Sequence, residues 1–218
     1  MSKKLKQKKG FTIIEVVLVL AIAGLIFLMV FVVVPTAMAG QRDGERRNAM
    51  SRVQEGLIAY QTNNKSKRNN LPAAGTFEAP EDGTYPETCD SACSFVKNYM
   101  NIGGEADVNK FDDPDGVPYN VVITDNMTKA DISGTSFTPT GDDGGNVVSK
   151  FVSEEVELDT GETVTGYTIG GENEFKAHVV YIVPGGQCAG EYVIKSELRH
   201  FAVLYRLEGS GVYCGGSD

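Results

Sequence analysis

Residues 10–34 read GFTIIEVVLVLAIAGLIFLMVFVVV, and from Phe11 to Val34 the only polar side chains are Thr12 and Glu15. At about 1.5 Å of rise per residue this run makes a helix of roughly 36 Å, longer than the ~30 Å hydrocarbon core of a bilayer. It reads as a membrane-spanning helix. An ordinary secretory signal has an apolar stretch of only about 7–15 residues followed by a small-residue cleavage site. Ala37-Met38-Ala39 supplies such a site, but the apolar run ahead of it is too long.

A plain anchor leaves Glu15 unexplained. An ionised carboxylate among aliphatic side chains costs on the order of several kcal/mol unless it has a partner. The preceding MSKKLKQKKG carries five lysines and no acid, and it ends at Gly10. A cut after Gly10 creates an α-amino group on Phe11, one helical turn below Glu15. That amine can pair with Glu15 of its own chain or, in a stack of parallel helices, with Glu15 of a neighbour.

The block KKGFTIIEVVLVLAIAG resembles the class III signal of type IV prepilins and of the related pseudopilins of type II secretion. That signal is a short basic leader, Gly, Phe, then an apolar helix with Glu as the fifth residue after the cut. Lys9, Gly10, Phe11, Thr12 and Glu15 all match, and the resemblance covers residues 1–50; the rest resembles pilins only in layout. It implies cleavage between Gly10 and Phe11 by a membrane-embedded aspartyl prepilin peptidase, N-methylation of Phe11, and assembly roles for Thr12 and Glu15. It also implies that the helix loosens at Gly24 and at a proline, which most of the family carries three residues before the Pro35 found here.

The implied fold is α+β, the pilin fold: a long N-terminal α-helix, membrane-spanning in its first half, packed on a C-terminal antiparallel β-sheet. The implied layout is a cleaved leader over residues 1–10, a filament-core helix over 11–34, an amphipathic continuation over 35–64 and an extracytoplasmic globular domain over 65–218. The leader lysines place the N-terminus in the cytoplasm. The chain then starts in the cytoplasmic membrane and ends in an extracellular pilus. Implied partners are further copies of the chain in a helical filament, the peptidase, an assembly platform with its motor ATPase, and the membrane before assembly. Adhesion, twitching motility, DNA uptake and secretion all use this N-terminal device. The alternatives are a pseudopilin and a membrane-anchored binding domain that never polymerises.

The formal net charge of −9 becomes −14 without the five leader lysines, so the exported surface repels nucleic-acid backbones and direct nucleic-acid binding is not expected. Cys89, Cys93, Cys188 and Cys214 are an even number outside the membrane, where they can oxidise. Four cysteines allow three connectivities; proximity favours Cys89 with Cys93 and Cys188 with Cys214. A four-thiolate zinc site is the competing reading, but the spacing is poor for it.

Beyond the apolar run the chain reads as a continuing helix to Asn64. Met50, Val53, Leu57 and Tyr60 form an apolar stripe that Ala49 and Ile58 widen. Arg42, Asp43, Glu45, Arg46 and Arg47 precede it, either facing water or meeting headgroups or a neighbour's acids. Residues 63–86 read as a loop, in which Lys65, Lys67 and Arg68 form a small basic cluster. Residues 89–100 have helical spacing. Strands are expected at 119–124, 151–158, 163–169, 177–183, 191–194 and 200–207, the fourth and last of these being central, with a hairpin turn at Asp159-Thr160-Gly161-Glu162.

Asp112, Asp113 and Asp115 lie in FDDPDGVP, a weak calcium candidate that also reads as an ordinary turn; otherwise no cofactor is expected. His178 and His200 sit in apolar strand-like runs, and no nucleophile elbow, phosphate loop or zinc-helix motif occurs. The expectation is a structural protein and not an enzyme.

Overall fold

The computed structural model describes residues 10–65, 70–80, 85–100, 111–138, 149–170, 178–209 and 211–217. The leader 1–9, Lys67 and Arg68 lie outside them. The chain divides into two units, Met1–Gln41 and Arg42–Asp218, so the globular part begins inside the helix and well before residue 65.

Helix α1 runs Ile13–Asn63 without a break, through Gly24 and Pro35. Pro35 withholds a backbone donor from the carbonyl one turn earlier, and the adjacent Thr36 hydroxyl donates to the Val33 carbonyl at 2.9 Å. In the first unit α1 is sheathed in exposed aliphatic surface. Phe11 is 88% exposed, Leu28 70% and Phe31 79%, on a helix long and apolar enough to cross a membrane.

In the second unit α1 buries Asp43, Arg46, Ala49, Met50, Val53, Gly56 and Leu57, a repeat of three and four residues that defines one face. Ile58 points to water, so the stripe is narrower than its apolar residues suggest. A short β1 (Gly75–Phe77) lies within the region read as loop. Helix α2 (Ser91–Phe95) starts at Asp90, whose carboxylate accepts the Cys93 N–H at 2.8 Å, and it widens into a π-type turn over Val96–Met100.

The remaining strands are β2 (Asn120–Ile123), β3 (Ser136–Phe137), β4 (Ser149–Glu157), β5 (Thr163–Gly170), β6 (Val179–Pro184), β7 (Gly186–Ala189), β8 (Tyr192–Lys195), β9 (Phe201–Arg206) and β10 (Val212–Gly216). They form two sheets where one was expected, in the orders β1-β2-β6-β9-β10 and β3-β4-β5-β8-β7. All pairings are antiparallel except β2 with β6, which run parallel.

Alternation along the two central strands explains why a second layer is needed. Val180 and Ile182 of β6, with Phe201, Val203 and Tyr205 of β9, join Met50, Val53 and Leu57 of α1 in one core. The intervening Val179, Tyr181 and Val183, with Ala202 and Leu204, pack on Phe151 and Ile169 of the second sheet and on Val193. A strand apolar on both faces must be covered on both. The order of layers in this unit is therefore helix, sheet, sheet.

Between β6 and β7 the chain steps directly from one sheet to the other, at the corner Pro184-Gly185-Gly186. Gly185 has φ +76°, and a Cβ there would sit 2.5 Å from Asn126 Oδ1. Its N–H donates to the His200 carbonyl at 2.7 Å, and its carbonyl accepts from Ser196 at 2.8 Å. Gly185→Ala combines a left-handed backbone with that clash and is expected to cost about 1–3 kcal/mol, read as a lowered midpoint in chemical denaturation.

Candidate functional site

At its start α1 is closed by its own side chains. The Thr12 backbone N–H and hydroxyl both donate to Glu15 Oε2, at 3.0 and 2.9 Å, and the Glu15 N–H donates back to Thr12 Oγ1 at 3.4 Å. This reciprocal pair is a capping box, T-x-x-E, which satisfies donors that the first helical turn leaves orphaned. Glu15 Oε1 makes no hydrogen bond among the described residues. Phe11 and Glu15, with Val16, Val19 and Leu20, line one shallow depression at this end of the helix.

Residues 5–31 match the family model for the prokaryotic N-terminal methylation motif. The chain carries the class III signal of type IV pilins and pseudopilins. No curated protein and no solved structure matches the chain. The class III signal and the apolar helix agree with a membrane-anchored precursor, and the globular unit supplies the pilin-like α+β arrangement behind them.

Behind the class III signal, the first turns of α1 in the globular unit form a charged centre. Arg46 has no solvent exposure, and all five of its N–H groups are used. Nε and Nη2 donate side by side to Asp113 Oδ2 and Oδ1, each at 2.8 Å. Nη2 also donates to Asp115 Oδ2 at 3.1 Å, while Nη1 donates to Asp43 Oδ1 at 2.9 Å and Glu208 Oε2 at 3.0 Å. Arg42 adds a second forked contact to Glu208, its Nε at 2.8 Å and its Nη2 in a close contact with Oε1.

The carboxylates are held from behind as well. Asp43 accepts the backbone N–H groups of Glu208 and Gly209, both at 2.9 Å, which pins the β9–β10 turn to α1. Asp113 accepts the Tyr205 hydroxyl at 2.9 Å and the Asp115 N–H at 3.1 Å, and His178 Nδ1 stands 3.4 Å from it. His178 is itself in the left-handed region at φ 47°, an unusual position for a non-glycine residue.

Burial alone would push the Asp113 carboxyl up, but Arg46, His178, the Asp115 N–H and Tyr205 reverse this and hold it well below the usual carboxylate range. Burial likewise disfavours the Arg46 charge, and its hydrogen bonds to Asp113, Glu208 and Asp43 outweigh that, leaving its pKa raised. Glu208 is lowered to about 2, first by its hydrogen bond from Arg42. Burial raises the Tyr119 and Tyr205 hydroxyls, and the Asp113 charge raises them further, so both stay neutral and Tyr205 stays a donor.

Arg42 and Arg46, read from sequence as facing water, headgroups or a neighbour, are therefore spent within their own chain, whereas Glu45 and Arg47 are exposed. Asp113 and Asp115 come together, and Asp112 instead enters an isolated bridge with Pro118. Cys89 is bonded to Cys93, and Cys188 to Cys214, the latter joining the edge strands β7 and β10 of the two sheets. His178 and His200 flank strands β6 and β9 without lying in them; His200 Nδ1 is 2.7 Å from the Ser196 hydroxyl inside a tight turn. Of the basic cluster, Lys65 is described and exposed.

Proposed function

We propose that this chain is a structural subunit of a type IV pilus-like filament, cut after Gly10, N-methylated on Phe11 and polymerised through α1. The observation that carries the reading is the exposed apolar sheath from Phe11 to Val34, in which only Thr12 and Glu15 are polar. Such a surface cannot rest in water, and at about 25 cal/mol per Å² its burial against lipid or neighbouring helices dominates the energetics. Lipid holds the precursor; a bundle of identical helices replaces lipid in the polymer. Glu15 Oε1 is then the acceptor for the new Phe11 amine, and Thr12 holds the other carboxylate oxygen. Gly24 and Pro35, inside a continuous α1, are the points where the helix loosens on packing.

The layered globular unit forms the outer surface, where adhesion, motility or DNA uptake is decided. Its partners in this reading are further copies of the chain, the prepilin peptidase and an assembly platform with its ATPase. The chain contributes no chemistry of its own and binds no nucleic acid directly. A pseudopilin of type II secretion uses the same device in a shorter polymer.

The Thr12–Glu15 capping box favours one competing reading, an anchored domain that never polymerises. A cap is a sufficient reason for the acid at that position. Mass spectrometry of the mature N-terminus separates the two: a chain starting at methylated Phe11 in sheared surface fibres supports the filament subunit. An uncut leader, or a start at Gly40, overturns it.

A further inference from the structure

Clustered aspartates after the long helix invite a divalent cation, and here Asp113, Asp115 and His178 offer ligand atoms within 4.8 Å of one another. The residues present do not fit a metal. Asp113 Oδ1 accepts Arg46 Nη2 and the Asp115 N–H; Oδ2 accepts Arg46 Nε and the Tyr205 hydroxyl and faces His178. A calcium ion needs six to eight oxygens turned inward on one point. At this centre the carboxylates of Asp43, Asp113, Asp115 and Glu208 converge on the guanidinium of a fully buried arginine.

We propose that Arg46 is the resident cation of this centre: its guanidinium fills the place of a divalent metal, so the globular unit folds and works without calcium, and removing the arginine side chain turns the same carboxylates into a calcium site. A metal entering the native protein would have to displace Arg46, leaving a buried guanidinium unpaired, which is the costliest way to break a buried ion pair. Arg42 and Arg46 carry two positive charges against the four carboxylates. The surplus negative charge meets backbone N–H groups and the Tyr205 hydroxyl. With Arg46 gone the imbalance grows, and a small dication is the charge that restores it. A guanidinium is planar and directional where a calcium shell is roughly spherical, so the two occupants use the same oxygens in different geometry.

The test uses the full chain in detergent micelles, with thermal unfolding followed in millimolar calcium and in chelator, and calcium titrated by calorimetry. The native protein is expected to unfold at the same temperature in both and to give no isotherm. Arg46→Ala is expected to unfold earlier in chelator and to regain at least about 2–4 °C in calcium, the shift of a one-kcal/mol ligand effect in a domain of this size. Methylguanidinium should also raise its midpoint, and adding Asp113→Asn to Arg46→Ala should abolish both rescues. Arg47→Ala, on the exposed side of the helix, should behave as the native chain does. A one-to-one calcium isotherm from the native protein that Asp113→Asn removes would overturn the proposal, whatever Arg46→Ala does. An Arg46→Ala chain that folds but is indifferent to calcium would overturn it as well.

Discussion

If the chain is the filament subunit proposed above, Glu15→Gln is expected to leave it in the membrane, correctly capped, and to abolish filament assembly. The capping box decides the choice of substitution. Gln serves at this position of the motif as well as Glu does, so the bond to the Thr12 N–H survives and only the charge is lost. If Glu15 matters solely as a cap, the variant assembles normally. If it matters as the counter-ion of a cleaved Phe11 amine, an ammonium is left unpaired in an apolar bundle, at a cost on the order of several kcal/mol per subunit. A penalty of that size suppresses fibre yield at least about tenfold, since 1.4 kcal/mol already does so.

Thr12→Val is the complementary change. It removes the hydroxyl that donates to Glu15 Oε2 at 2.9 Å and keeps the carboxylate and the backbone bond at 3.0 Å. Loss of the cap costs about 0.5–2 kcal/mol at the first turn, and filaments are expected to persist. Immunoblots of the membrane fraction, set against electron microscopy of sheared fibres, read both variants. Normal fibres from Glu15→Gln would sink the counter-ion mechanism. Fibre loss from Thr12→Val alone would make the cap the element that assembly requires.

The sequence displays some of these features and conceals others for physical reasons. A run from Phe11 to Val34 with no lysine or arginine has one physical outcome, so the helix is legible at once. The capping box is equally legible as Thr12-Ile13-Ile14-Glu15, but a reading fixed on the cost of the charge passes over the hydrogen bonds that orient it. Arg46 is hidden by its type. The spacing 46, 50, 53, 57 continues the buried stripe of α1 by one turn, and that spacing is the signal that finds it; arginine is assigned to solvent by default. Its partners Asp113, Asp115 and Glu208 stand 67, 69 and 162 residues away. No local pattern joins them.

The sheets divide in the same way. Val179-Val180-Tyr181-Ile182-Val183 is apolar at every position, and such a strand needs cover on both faces, which already implies a layer beyond α1. The strands that build that layer are less visible: β7 is GQCA, and its partner β8 is only four residues long. The parallel pairing of β2 with β6 rests on long-range contacts between residues 121 and 180, which composition does not encode.

Asp113→Ala is the substitution expected to damage the globular unit most. It strips Arg46, which has no solvent exposure, of the carboxylate that pairs side by side with Nε and Nη2, and it takes from the Tyr205 hydroxyl its carboxylate acceptor, leaving it beside His178 Nδ1 at 3.3 Å. Removing one partner of a buried ion pair costs about 3–5 kcal/mol, because the remaining charge cannot reach water. At about 2–4 °C per kcal/mol the unfolding midpoint falls by roughly 6–20 °C.

The same centre sets an acid limit. Asp113 lies well below its ordinary pKa and Glu208 is lowered to about 2 from 4.5. Carboxyls depressed in the folded state bind protons more readily when unfolded, so their contribution is complete above about pH 4.5 and is lost as pH falls toward 2. Stability of the native chain should therefore decline across that window, by up to about 1.4 kcal/mol per pH unit for each proton taken up on unfolding. Asp113→Asn, which cannot titrate, should give a lower but flatter profile. Parallel profiles for the two proteins would show that Asp113 carries no depressed charge and that the link between α1 and β9 rests on packing alone.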